Sequence, residues 1–378
     1  MRIAVEFPEV RNLNYTEYLL TGFHQLRRAG VIDRLSIRYH KGVSPSLPGR
    51  LERLVRAKLR RPRPGPPLEH ILQGQVTTPD RRARFVVDCY DATWTFGTEE
   101  LMETSDLYFK CQCPRSHPEG IARISNRYDM PFPDFAKRQL SKLRPLMLGR
   151  PLSRLHRFDD NLALLRRYEE RRRQGPRNGS TLIFFGMCYD NPPHPLTHHP
   201  HFKRALLVGY AAKNIPTADI IFSLSKQDVF RSQVPPDVAA LDTGRRVPDP
   251  EYFELITRCA ATVNIMGLAG SIPFRIVDSF LGGALLLSDS LRVDWYEPLK
   301  EGVDYLSLGD LGYELLEDIR FEESCERLRS LAARAGELRN ELAPLREERF
   351  RRHYSPVAMA RRVLTELGID LPEAAADL

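Results

Sequence analysis

Three polar side chains at helical spacing carry most of the chemistry this sequence offers. Ser271, Arg275 and Asp278 stand at i, i+4 and i+7, which stacks them along one stripe of a helix. Ahead of them lies a short apolar run (260–265) read as a buried strand, then a turn bearing Gly267 and Gly270. A second apolar run (284–287) follows the Gly282-Gly283 stop. Strand, helix, strand makes a βαβ unit and implies a parallel sheet. Phe274, Val277 and Leu281 repeat at i, i+3 and i+7, with Ile276 and Phe280 widening that face, so the helix is expected to be mostly buried. Gly270 or Ser271 is the expected N-cap, with Pro273 in the first turn. A helix N-terminus at the carboxyl end of a parallel strand gathers backbone N–H groups and the positive end of a dipole, which suits phosphate. Arg275 adds a bidentate phosphate partner, and Asp278 an acceptor for ribose hydroxyls. The plainer alternative is that Arg275 and Asp278 pair with each other on the helix surface.

The segment resembles the donor-site helix of glycosyltransferases with two Rossmann-like domains (the GT-B fold), most closely exostosin-like and glycosyltransferase family 1-like members. The residues that carry the resemblance are Gly270, Ser271, Arg275, Asp278 and Gly283, followed by the strand ending at Ser288 and Asp289. The resemblance covers about 251–308 and implies that Ser271 and Arg275 hold a donor diphosphate while Asp278 holds the ribose. Many GT-B enzymes carry a glutamate where this chain has Gly270, so that direct contact to the sugar is missing here.

Other candidates sit where α/β sheets bind ligands, beyond the carboxyl ends of strands. A buried run from 84 ends in Asp88 and Asp91, and the strand-like 107–110 ends in Lys110. Asp88 and Asp91 are the candidate acid–base groups, and Lys110 a cleft residue; the alternative is that each aspartate caps the next turn. Beyond the strand 181–186 comes a loop with Asp190, Asn191, His194, His198, His199, His201 and four prolines. Its prolines break the geometry a zinc site would need, so Asp190, Asn191 and His194 are read as substrate contacts and no metal is expected. Lys226 and Arg231 follow the strand 219–224 and are candidates for donor phosphate. No Asp-x-Asp pattern occurs, which favours diphosphate binding without a bridging metal. Neither a dinucleotide fingerprint nor a P-loop is present.

A chain of 378 residues is too long for one core and implies two domains. Residues 1–178 are read as an acceptor-binding domain, 179–350 as the nucleotide-sugar domain, and 351–378 as a crossover helix and tail returning to the first. The expected fold is α/β, with two Rossmann-like domains whose parallel sheets face a cleft. Strands are expected at 3–6, 35–39, 181–185, 219–224 and 303–308. Helices are expected at 16–28, 99–105, 160–174, 202–213, 313–319 and 322–348, the last interrupted near Pro344, and then a terminal helix.

The composition, 42% hydrophobic and 28% charged, is that of a soluble globular protein, and the net charge of +7 fits an enzyme for anionic substrates and equally a nucleic-acid or membrane-surface binder. The basic stretch 50–63 is read as a solvated face, with peripheral membrane contact as the alternative; no nucleic-acid module accompanies it. Six scattered cysteines and an N-terminus opening on a strand suggest the cytoplasm. The sequence therefore reads as a metal-independent glycosyltransferase, with a nucleotide sugar as co-substrate, no resident cofactor, and a saccharide, lipid-linked or small-molecule acceptor. The alternative is a glycosyltransferase-like protein that binds a nucleotide or a partner without turnover.

Overall fold

The computed structural model describes residues 2–40, 70–90, 92–93, 95–114, 133–150, 152, 157–175, 180–186, 200–224, 233–244, 247, 249–267, 271–291, 293–311 and 320–372. The chain divides into two α/β units, each built on its own sheet: Met1–Arg166 with Arg292–Pro298 and Phe350–Leu378, and Arg167–Leu291 with Leu299–Arg349.

The first unit opens with β1 (Ala4–Val10), α1 (Leu13–Arg28) and β2 (Arg34–Tyr39). Asn12 caps α1 by accepting from the Asn14 N–H, and Leu19, Leu20, Phe23 and Leu26 face inward as their spacing requires. Next come β3 (Ile71–Thr77), β4 (Arg82–Asp88), α2 (Glu99–Thr104), β5 (Leu107–Lys110), β6 (Cys113–Pro114) and β7 (Leu143–Pro145). Strand β3 was not anticipated. It runs antiparallel between β1 and β4 in a sheet ordered β2-β1-β3-β4-β5-β7, so this sheet is mixed rather than wholly parallel. Gln73, Gly74 and Gln75 interrupt its hydrophobic run. Gly74 is required there, because a Cβ would lie 2.3 Å from the Phe85 ring.

Helix α3 (Phe158–Gln174) passes from the first unit to the second at Arg166/Arg167, and the second unit continues with β8 (Thr181–Gly186), α4 (Pro200–Asn214), β9 (Ala218–Ser223) and α5 (Asp249–Arg258). Then come β10 (Ala261–Asn264), α6 (Arg275–Gly282) and β11 (Leu285–Ser288), the anticipated βαβ unit. Strands β10 and β11 pair in parallel from Ala261↔Leu285 to Asn264↔Ser288. The sheet is parallel throughout, in the order β13-β11-β10-β8-β9, where β13 is Leu306–Ser307.

Strand β12 (Val293–Asp294) belongs to the first unit and pairs antiparallel with β6. Strand β13 is only Leu306–Ser307, shorter than the anticipated 303–308. Asp304 is drawn out of the strand into a buried ion pair, its carboxylate accepting from Arg349 at 2.9, 3.0 and 2.7 Å. The charged helical stretch breaks at Arg334, between α7 (Phe321–Ala333) and α8 (Ala335–Arg349), and not at Pro344, which sits inside α8. The break lets Leu328, Ala332 and Ala335 all reach one apolar core. A π-helical turn (Phe350–Tyr354) leads to the final helix, α9 (Pro356–Glu366), which returns to the first unit as anticipated. There the Tyr18 hydroxyl donates to the Tyr354 carbonyl at 2.7 Å. Gly22 lets α1 and α9 touch, since a Cβ would lie 1.9 Å from the Pro356 carbonyl oxygen.

Among the described residues no helix is long and apolar enough to cross a membrane. The basic stretch 50–63 and the anticipated helix 313–319 lie outside the described residues.

Candidate functional site

The sequence places the site at the carboxyl end of β10, and the second unit builds a tightly held turn there. Beyond Asn264 the chain runs through Ile265 and Met266 to Gly267, all inside the fold or at its edge. Two buried side chains grip this passage from other elements. The Arg204 guanidinium, on α4, donates to the carbonyls of Ile265 and Met266, the latter at 2.7 Å. From the end of β11, the Asp289 carboxylate accepts the Met266 N–H at 3.0 and 3.2 Å. Asn264 adds a hydrogen bond to Ser288 Oγ at 3.0 Å, tying the two strand ends together. Burial pushes the Asp289 carboxyl up to about 7, against the pull of the Met266 N–H and of Arg204.

Gly267 closes the turn. Its N–H donates to the Ser271 carbonyl at 2.8 Å, and a Cβ at Gly267 would meet Ser271 Oγ at 2.2 Å. The serine is buried, and it does not cap the helix as anticipated. Helix α6 starts four residues later, at Arg275, with Phe274 as N-cap and no side-chain cap bond. The hydroxyl of Ser271 is instead turned into the space that Gly267 leaves.

Arg275 therefore occupies the first helical position, half-buried, with Asp278 one turn on and buried. Burial lowers the Arg275 pKa, while the Tyr252 hydroxyl on α5, which accepts a hydrogen bond from it, and the nearby Asp278 act the other way. Ser271 thus stands outside the helix, and of the expected stripe only Arg275 and Asp278 lie on α6, with Asp278 near enough to act on Arg275 electrostatically. At the far end of α6, Gly283 adopts the left-handed conformation (φ 72°) that ends the helix. Arg172 donates to the Phe280 carbonyl at 3.3 Å and Arg339 to the Gly283 carbonyl at 2.8 Å. Cations at the C-terminus complement the helix dipole and leave its positive end to the residues around Arg275.

In the first unit, Asp88 and Lys110 meet at the carboxyl ends of β4 and β5. Lys110 Nζ lies 3.2 Å from Asp88 Oδ1, and both side chains are fully buried. Asp88 also accepts from the Tyr108 hydroxyl at 2.5 Å and from the Tyr90 N–H at 2.9 Å. Lys110 further donates to the Tyr90 carbonyl and lies over the Phe96 ring at 5.4 Å. This closed cluster organises the strand ends and presents neither charge to solvent. Burial first, then the Asp88 charge, pushes the Tyr108 hydroxyl well above its usual range.

The remaining candidates, Asp91, Asp190, Asn191, His194, Lys226, Arg231 and Gly270, lie outside the described residues. The cysteines that are described (Cys89, Cys111, Cys113, Cys259, Cys325) are buried free thiols, and burial pushes Cys113 and Cys325 up to about 12. Among the described residues no group of three His, Cys, Asp or Glu could hold a metal ion. Sequence reasoning missed Arg204: an arginine on a mostly apolar helix gives no sign that it will point at a turn 61 positions along.

No family model and no curated protein matches the sequence. Among solved structures the chain is similar to Anabaena Alr3699/HepE in complex with UDP and glucose, at 10% identity over 97% of this chain and 99% of that one, with a TM-score of 0.45. It is also similar to a chain of the GtfA/B complex, at 11% identity over 78% of this chain and 62% of that one, with a TM-score of 0.38.

Proposed function

We propose that the protein is a glycosyltransferase that moves a sugar from a nucleoside-diphosphate sugar to an acceptor hydroxyl. The donor diphosphate sits at the N-terminal end of α6, held without a metal by Ser271, Arg275 and backbone N–H groups, with Asp278 toward the ribose. The observation that carries this reading is the position of Arg275. It opens a helix that begins beyond the carboxyl end of a parallel strand, after a turn clamped by Arg204 and Asp289. A fixed turn and an oriented helix end can stabilise the diphosphate as it leaves, because their dipoles need no rearrangement during the reaction. Gly270, Lys226 and Arg231 complete the proposed donor set. Asp190, Asn191 and His194 are proposed acceptor contacts, and Asp91 is the proposed acid–base group. Asp88 and Lys110 position the strand ends behind them.

Thermal unfolding against a panel of nucleoside diphosphates tests this reading, with wild type beside Arg275→Ala. One nucleotide at about 100 times its Kd should stabilise the wild type by about 2.7 kcal/mol, and Arg275→Ala should abolish the shift. No shift with any nucleotide would remove the donor site. Gly270, standing where many GT-B enzymes have a sugar-binding glutamate, favours a second reading in which nucleotide binds without turnover; release of nucleoside diphosphate from a nucleotide sugar separates the two.

A further inference from the structure

Helix α8 turns arginine toward the interior of the second unit. Its buried residues are Ala335, Arg339, Arg346 and Arg349, whose spacing puts them on one face, where an apolar stripe is the ordinary arrangement. Arg349 is taken up by Asp304. Arg339 and Arg346 are 3% and 4% exposed, and among the described residues no acceptor meets Nη1 of Arg339 or Nε and Nη2 of Arg346. Buried N–H groups on a charged side chain are costly to leave unmet.

Both gather at the last turn of α6, together with Arg172 of α3. Arg339 Nε donates to the Gly283 carbonyl at 2.8 Å, Arg172 Nη1 donates to the Phe280 carbonyl at 3.3 Å, and the Arg346 guanidinium lies 5.4 Å from the centre of the Phe280 ring. Gly283 admits Arg172, since a Cβ there would lie 2.8 Å from Arg172 Cγ. Burial above all lowers the Arg346 pKa to about 10; Asp304 opposes the shift, and the charges of Arg339 and Arg172 add to it. The two helix carbonyls each take one N–H and leave this positive charge uncompensated. At the solvent side Arg172 Nη2 donates to Glu347 Oε1 at 3.0 Å, and that carboxylate side chain is 44% exposed. An oxyanion reaching in from solvent is thus already the partner of one of the three arginines. Guanidinium forks match oxyanions in shape and charge, and phosphate brings an oxygen for each of the three.

We propose that Arg172, Arg339 and Arg346 form a phosphate-binding site at the C-terminal end of α6, which phosphate enters by taking Arg172 from Glu347. The site lies at the opposite end of α6 from Arg275 and stands whether or not the protein transfers sugars. Its ligand is inorganic phosphate or the phosphate group of a phosphomonoester. Bound there, phosphate supplies the acceptors that Arg339 and Arg346 lack and ties α3 and α8 to the end of α6.

Titration calorimetry and thermal unfolding test this with inorganic phosphate and with glucose 6-phosphate, at an ionic strength held constant with chloride. The wild type should bind inorganic phosphate saturably and melt higher as the site fills. Arg346→Met should bind it about 10–100-fold more weakly. Arg346→Lys, which keeps the charge and loses the fork, should also bind more weakly than wild type. Arg275→Ala should bind phosphate as the wild type does, and Glu347→Gln should bind it more tightly because the competing carboxylate is gone. In chloride alone Arg346→Met should melt no lower than wild type, since it removes a buried charge that has no hydrogen-bond partner. Binding of glucose 6-phosphate through the same residues gives the site to a phosphate-bearing metabolite, and binding of inorganic phosphate alone gives it to the free ion. No saturable phosphate binding by the wild type, wild-type affinity in both Arg346 variants, or weaker binding in Glu347→Gln overturns the proposal. Loss of binding in Arg275→Ala puts the ion at the other end of α6 and overturns it too. So does an Arg346→Met variant that melts below wild type by the same margin with and without phosphate, because the arginine is then a structural cation only.

Discussion

The Asp289 carboxylate and the Met266 N–H are joined at 3.0 Å, so the end of β11 holds the exit from β10. Arg204 grips the same peptide through the Ile265 carbonyl. The passage into the turn is thereby fixed by two buried polar side chains and not by local sequence preference.

That carboxyl should leave a mark on stability. Its folded pKa, about 7, stands above the ordinary value of 3.8. Between these values the folded protein retains a proton that the unfolded chain has lost. Stability contributed by the protonated form is complete below about pH 4, declines as pH rises to 7, and is level beyond. A shift of this size corresponds to about 4 kcal/mol. Asp289→Asn removes the decline, so thermal unfolding should show the variant gaining on the wild type from pH 5 to pH 8. Parallel pH profiles would refute the assignment.

Gly267 and Ser271 should behave as a matched pair. A methyl at 267 would overlap Ser271 Oγ at 2.2 Å, so Gly267→Ala should displace the turn and weaken nucleoside-diphosphate binding about tenfold. Ser271→Ala removes the colliding oxygen, and the double variant should melt higher than Gly267→Ala alone. If it melts lower, the turn does not owe its shape to this contact.

The Asp304–Arg349 pair should be strongly non-additive. Its side chains are 0% and 9% exposed, so Arg349→Met leaves a buried carboxylate without its charge partner and should cost about 3–5 kcal/mol. Asp304→Asn in that background should recover a large part of the loss. Simple additivity in denaturant titrations would mean that water already screens the pair.

Two glycines in helices should give opposite results. Gly22→Ala places a methyl against the Pro356 carbonyl, backbone that cannot step aside, and should cost more than about 2 kcal/mol. Gly336, in α8, has nothing within 4 Å of its absent side chain. Gly336→Ala should stabilise by about 0.5–1 kcal/mol. Equal melting temperatures for the two variants would contradict the packing of α1 on α9.

The parts of the fold that could be read from the sequence are those where one chain segment specifies its own surroundings. The βαβ unit was legible because its apolar runs are buried on both faces and its helix repeats at 3.6 residues. The return of the last helix was legible from the resemblance to the GT-B pattern. Strand β3 was not, because Gln73, Gly74 and Gln75 break its hydrophobic signal and only the Phe85 ring explains the glycine. The start of α6 was misjudged for a related reason: Ser271 is an apt cap by type, but the gap left by Gly267 claims its hydroxyl. Asp88 stood out as a strand-end carboxylate, yet only the fold reveals Lys110 and Tyr108 closing over it.

The return of α9 to α1 also has a consequence for how the protein is made. Residues 13–28 are synthesised more than three hundred residues before α9. Until then the groove at Gly22 and the Tyr18 hydroxyl have no α9 to meet, whereas all of the second unit has already been synthesised. The first unit can therefore close on itself only after residues 356–366 have been made. Nascent chains halted before residue 356 should present the open face of α1 to chaperones and proteases, and full-length release should hide it.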